Sequence, residues 1–105
     1  MFALRQTDRF ARWFSELRDE RARKRVARRL ALLAAGHVGD AKSVGGRVSE
    51  LRIDHGPGYR LYYTRRGEAV ILLLVGGDKS SQARDIAAAK ALAARGADQI
   101  EGELR

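Results

Sequence analysis

The 105-residue sequence contains no cysteine, one proline and seven per cent aromatic residues. Without cysteine there is no disulfide framework, no thiol nucleophile and no cysteine-based zinc site. A lone proline, Pro57, leaves long stretches free for helix and strand. The longest apolar run, 69–75, is far too short to span a membrane. The first fourteen residues interleave charge with apolar side chains and lack the apolar stretch of a secretory leader; the expected location is the cytoplasm, with no membrane partner. No Asp/Glu/His set has metal-ligand spacing, no Ser-His-Asp arrangement is suggested, and no cofactor is expected.

What is present in excess is positive charge. There are 21 Lys+Arg against 13 Asp+Glu, a net +8. On so small a chain that balance favours a polyanion or an acidic protein as partner. The excess is uneven: residues 1–35 hold ten basic and four acidic residues, whereas 80–105 hold four of each. Hydrophobic residues make up 45%, enough for one folded domain over 1–105.

Periodicity places the elements. Phe10, Trp13, Phe14 and Leu17 mark one face of a helix, with Thr7 or Asp8 as its cap. Asp19 caps a second helix with stripe Val26, Leu30 and Leu33, ended by Gly36 or Gly39. Its other faces carry Arg21, Arg23, Lys24, Arg25, Arg28 and Arg29. Residues 39–46 read as a loop. Alternation from Val48 to Asp54 predicts a strand with Leu51 and Ile53 on its buried face. Gly56-Pro57-Gly58 is turn chemistry, and 59–64 is a second strand. Arg65 to Glu68 form a second turn, and 69–75 is a central strand apolar at every position. A last helix runs from about Gln82 to Arg95, capped by Ser80 or Ser81, and the tail from about 97 is expected to fray. The fold class is α+β: an N-terminal helical hairpin packed on a small antiparallel sheet, with a C-terminal helix. Leu51, Ile53, Leu61, Tyr63, Leu72 and Leu74 are expected to share one core with Trp13, Phe14, Val26 and Leu30.

Two places suit chemistry on phosphate. In Val75-Gly76-Gly77-Asp78-Lys79-Ser80-Ser81 a strand ends, glycines allow close approach of a ligand, and a helix begins. Free amide hydrogens there favour an anion, and Lys79 adds a full charge. The spacer of a P-loop is missing. The second place is the hairpin of Arg52, His55, Tyr59 and Arg60. Arg52 and Arg60 fall on the strand faces opposite the apolar residues, beside Tyr62, so their guanidinium forks can emerge together. The ordinary alternative is a cross-strand ion pair of either arginine with Asp54 or Glu50. His55 is a candidate acid or base, or simply a turn residue.

Taken together, Glu50-Leu51-Arg52-Ile53, Gly56-Pro57-Gly58-Tyr59-Arg60, Leu74-Val75-Gly76-Gly77-Asp78-Lys79 and Gln82 with Asp85-Ile86 form a recognisable pattern. It resembles the HigB-like "addiction module killer" branch of the RelE/ParE toxin superfamily, over about residues 7 to 95. The resemblance implies a helical hairpin on an antiparallel sheet and a toxin of a type II toxin–antitoxin system. RelE-like members are ribosome-dependent mRNA endoribonucleases that attack the phosphate through the ribose 2′-hydroxyl, without a metal. It implies roles for Arg60, Lys79 and Arg52 on the phosphate, and leaves His55 and Tyr62 as acid or base, because no tyrosine follows Tyr63. Tyr59, Arg84 and Arg47 are the accompanying RNA contacts. The implied partners are an antitoxin, a helix-turn-helix protein, together with the ribosome and mRNA. Two other readings stand beside it: a ParE-like inhibitor of DNA gyrase on the same fold, and a nucleic-acid-binding module without catalysis.

Overall fold

The computed structural model describes the backbone of residues 1–105 and the side chains of all but residues 97 and 98. The caps expected for the first two helices are in place. Thr7, rather than Asp8, caps α1 (Asp8–Ser15): its hydroxyl accepts from the Phe10 amide at 3.1 Å and donates to the Leu74 carbonyl at 2.7 Å. Asp19 caps α2 (Glu20–Ala34) by accepting from the amides of Arg21 and Ala22. The end of α2 is a Schellman motif: Gly36 adopts φ +95° while His37 N–H reaches the Leu32 carbonyl and Gly36 N–H that of Leu33.

Three strands lie where the sequence pattern puts them: β3 (Val48–Ile53), β4 (Tyr59–Arg66) and β5 (Val70–Asp78). Two more flank them. β1 (Ala3–Gln6) pairs parallel with β5, and β2 (Ala41–Gly45) pairs antiparallel with β3, giving the order β1-β5-β4-β3-β2. The sheet is therefore mixed rather than purely antiparallel, and the stretch 39–46 is not simply a loop. Both additions are short edge strands whose side chains are at best half-buried, so they carry little hydrophobic alternation.

The chain has a core on each face of the sheet. On one face α1 and α2 bring Phe10, Ala22, Val26 and Leu33 against Leu51, Ile53, Leu61, Tyr63, Ile71 and Leu73. Trp13, Phe14 and Leu30 pack around this cluster, as expected. Leu72 and Leu74 do not. They lie on the opposite face with Tyr62, Val48 and Val75, under α3 (Gln82–Ala93). A register shift between Tyr62 and Tyr63 in the β4–β5 pairing sets which β5 residues face which way.

The tail lies against the fold. After α4 (Ala97–Ile100), Ile100 is 1% exposed beneath the second face, and Leu104 bridges to Thr7. The Arg105 amide donates to the Gln6 carbonyl at 2.8 Å, and Arg5 pairs with Glu101. Two well-spaced apolar side chains are enough to dock a short polar tail along the β1 edge. No helix among the described residues is long and apolar enough to cross a membrane.

Candidate functional site

Strand register brings the predicted cations together. Arg52 and Arg60 are direct partners across the β3–β4 pair, and Arg60 is opposite Gly77 on β5. The next turn supplies Lys79, which is exposed. These three residues line one pocket of about 350 Å³ with Gly56, Pro57 and Gly58 of the hairpin and the carboxylates of Asp40 and Asp54. Gly58, at φ +78°, forms part of this wall. A side chain there would meet Lys79 Cδ at 3.4 Å and Arg60 Nη1 at 3.5 Å, so the loop backbone can lie against both cations.

Beneath the arginines lies Glu50, which is 0% exposed. Its Oε2 accepts from the Tyr62 hydroxyl at 3.0 Å and from Gln82 Nε2 at 2.8 Å. Its Oε1 faces Arg52 Nε at 3.8 Å and Arg60 Nε at 3.9 Å. Those distances are ionic but too long for hydrogen bonds. All three atoms are buried without a hydrogen-bond partner among the described residues. Arg60 is 8% exposed, and its Nη1 donates to the carbonyls of Gly58 and Tyr59. The cross-strand pairing with Glu50 that offered an ordinary explanation of the arginines thus exists. It is buried beneath the two arginines that line the pocket and does not replace the pocket.

The other sequence candidates are elsewhere or differently engaged. Tyr62 is fully enclosed; burial first, then its bond to Glu50, push its hydroxyl far above its usual range. In this arrangement its hydroxyl is bonded to Glu50. His55 points to the helix side, where Nε2 meets Asp19 Oδ2 at 3.1 Å and the ring stacks on Tyr59. That contact is the main reason the Asp19 carboxyl sits below its ordinary value, ahead of the capped amide of Ala22. Tyr59 is packed edge-on against Trp13 and is not an open platform for a base. Arg47 lies exposed at φ +63° in the β2–β3 turn and borders a separate groove with Phe2 and Tyr63. Arg84 borders another groove with Arg9 and Arg12, beyond the Lys79 turn.

The glycine turn also differs from the anion cradle expected of it. Gly76 is covered by the Trp13 ring and Gly77 by the Asp85 carboxylate, positions a Cβ would occupy. These glycines admit the protein's own side chains, not a ligand. The Ser80 amide donates to Asp78 Oδ1 at 2.8 Å, and the Ser80 hydroxyl to the same oxygen at 2.6 Å. Asp78 caps the short 3-10 turn Lys79–Ser81, and the hydroxyl of Ser80 holds its carboxyl below the usual range; Ser81 occupies the N-cap position of α3 but makes no side-chain capping bond to it. An anion there would compete with a built-in carboxylate. What remains of the expected site is Lys79 itself, turned toward the arginine pocket.

Glu50 and Gln82 are the residues that a search for cations does not single out. The signal for Glu50 was its place on the same strand face as Arg52, two residues away. Among the described residues no group of three or more His, Asp and Glu side chains could hold a metal ion.

Residues 12–96, which include every residue of the pocket, match the family described as "Phage derived protein Gp49-like (DUF891)". The chain belongs to the Gp49-like family. That family is RelE/HigB-like and is associated with the toxins of toxin–antitoxin systems. A relative, an uncharacterized protein of Haemophilus influenzae strain Rd, is 45% identical over 84 residues, covering 80% of this chain and 85% of that protein. No solved structure gives a significant match.

Proposed function

We propose that this Gp49-like protein is the toxin of a type II toxin–antitoxin pair and a metal-independent endoribonuclease that cuts mRNA on the ribosome. The observation that carries the reading is the convergence of Arg52, Arg60 and Lys79, from β3, β4 and the turn after β5, on one pocket. Attack of a ribose 2′-hydroxyl on the adjacent phosphate builds negative charge on the phosphoryl oxygens. Fixed cations stabilise that charge more in the transition state than in the ground state. Arg52 and Arg60 supply planar forks for the oxygens, and Lys79 supplies a mobile point charge at the mouth. The 2′-hydroxyl proton passes to a rim carboxylate, Asp54 or Asp40, or to a group of the ribosome; the P–O5′ bond breaks as the O2′–P bond forms, leaving a 2′,3′-cyclic phosphate, and the departing 5′-oxygen takes a proton from water or from a group of the ribosome. His55 and Tyr62 are both committed within the fold. The antitoxin is an acidic partner drawn by the +8 charge, which at this size steers association strongly.

The test is induced expression followed by primer extension of cellular transcripts. Discrete cuts in translated mRNA, abolished by the double variant Arg60→Ala, Lys79→Ala, are expected. Loss of one such fixed donor typically lowers a rate by about 10²–10³. Intact transcripts together with a DNA-damage response would replace this reading with gyrase inhibition. Phosphate binding without scission would leave a binding module.

A further inference from the structure

Two arginines in directly opposed cross-strand positions repel one another. Left alone, long guanidinium side chains on a sheet surface adopt many rotamers, and a catalytic fork gains little from a cation that must be ordered during the reaction. In this fold the repulsion is countered from below. Glu50 is fully buried, and Tyr62 and Gln82 hold one of its oxygens from two different elements, β4 and α3. That leaves the other oxygen directed between Arg52 Nε and Arg60 Nε, at nearly equal distances of 3.8 and 3.9 Å. Those three atoms are also the buried polar atoms without a hydrogen bond among the described residues. Buried polar atoms left unbonded are uncommon and call for a reason. A movement of about 1 Å by either guanidinium would bring it into hydrogen-bond range.

We propose that Glu50 is a positioning residue: braced by Tyr62 and Gln82, it grips the Nε edges of Arg52 and Arg60 and so presents the opposite edges of both forks to a phosphodiester in the pocket. The proposal rests on the reading above for what the forks hold, and not for the grip itself. Glu50 does not serve as the base, because it is enclosed and both oxygens are directed at donors. Its negative charge, together with that of the more exposed Asp40, whose Oδ1 also lies 3.8 Å from Arg52 Nε, makes the adjacent placement of two arginines tolerable, and their open edges then need no ordering when a phosphate arrives. Because Arg60 is also tied by Nη1 to the hairpin carbonyls, Glu50 completes a two-point hold on that side chain.

Two measurements on the full chain test this. The first is water exchange of the Arg60 Nε–H by 15N NMR, which needs no ribosome. The native protein should show a protected signal, and Glu50→Gln should lose it, since an amide nitrogen turned toward the arginines would oppose donor with donor. The second is steady-state cleavage of a defined mRNA on ribosomes. Glu50→Gln should lower kcat by about 10²-fold, the scale of a misplaced catalytic group, with KM nearly unchanged. Glu50→Asp should restore part of kcat. Tyr62→Phe keeps the ring and removes one brace, so it should weaken Arg60 protection and lower kcat less than Glu50→Gln does. Should Glu50→Gln fail to fold, the Tyr62→Phe exchange decides. Unchanged Arg60 protection in a folded Glu50→Gln protein, or in Tyr62→Phe when the former does not fold, overturns the grip whatever the cleavage shows. A native protein that cuts no mRNA overturns the functional reading and leaves the exchange measurement to judge Glu50.

Discussion

Arg52 and Arg60 face each other across the β3–β4 ladder, and one oxygen of Glu50 stands within 3.9 Å of both Nε atoms. Like charges in that relationship normally weaken a sheet. Here they occur where the sheet meets a glycine-rich hairpin and a turn, so their outer edges open into the pocket while their inner edges meet a buried carboxylate. The electrostatic cost of the arrangement is borne by the fold, and the benefit falls to whatever anion enters.

Replacing Arg60 by lysine should impair cleavage although charge is conserved. Arg60 is held at Nη1 by the hairpin carbonyls and faces Glu50 at Nε, a two-ended placement that a single ammonium cannot reproduce. Lys79→Arg, at the exposed mouth, should be tolerated better. Ribosome-dependent cleavage of a defined mRNA compares them, with thermal unfolding as control. Equal rates for Arg60→Lys and the native protein would mean that the fork geometry is irrelevant.

Tyr62 makes the fold sensitive to alkali. Its hydroxyl is held above the ordinary value of 10.0, first by burial and then by Glu50. The folded chain keeps this proton where the unfolded chain releases it. The associated stability is therefore complete below about pH 10 and declines as pH rises beyond it. Tyr62→Phe should remove part of that alkaline slope; Tyr59, also raised by burial, retains the rest. Near neutrality the same variant should lose about 1.5–3 kcal/mol, because a buried carboxylate forfeits a donor. Denaturant unfolding from pH 7 to 11 measures both effects, and parallel stability curves would contradict the assignment.

His55 acts on the opposite side of the molecule and at the opposite end of the pH range. Its bond to Asp19 lowers that carboxyl below 3.8, so the contribution is present above this value and disappears as pH falls through it. His55→Ala should reduce the dependence of stability on pH in the acid range and leave mRNA cleavage at neutral pH close to native. Loss of cleavage in a folded His55→Ala protein would return this residue to the catalytic set.

Ile100 distinguishes a docked tail from a frayed one. Its side chain is enclosed with Leu72 and Val75 beneath the sheet. Truncation to alanine should cost about 2–5 kcal/mol, the range for a fully buried aliphatic side chain. A frayed tail would lose nothing. Equilibrium unfolding of Ile100→Ala is sufficient to tell them apart.

The helices and central strands were legible because their signals are local. Thr7 and Asp19 cap within three residues of themselves, and the stripe Phe10, Trp13, Phe14 recurs at helical spacing. The alternation of β3 put Arg52 and Glu50 on one face, and turn chemistry at Gly56-Pro57-Gly58 made β3 and β4 neighbours. From these Arg52 and Arg60 were expected to emerge together on one sheet face; only the family resemblance joined Lys79 to them. Edge strands β1 and β2 escaped because they bury too little to alternate.

Other features depend on what lies far away in the chain. A continuous apolar strand such as β5 carries no mark of which residue faces which layer; a register shift against β4 sends Leu72 and Leu74 away from the helical hairpin. Nothing near Gly76 or Gly77 announces that Trp13 and Asp85 will cover them, so a turn suited to anions in isolation holds the protein's own groups instead. Tyr62 looked available beside the arginines and is sealed under α3. Composition and period thus determined the helices, the three central strands and the basic character, and the resemblance named the cations. The faces, the docked tail and the carboxylate under the arginines were decided only by tertiary packing, since burial and charge pairing depend on contacts between residues that the sequence separates.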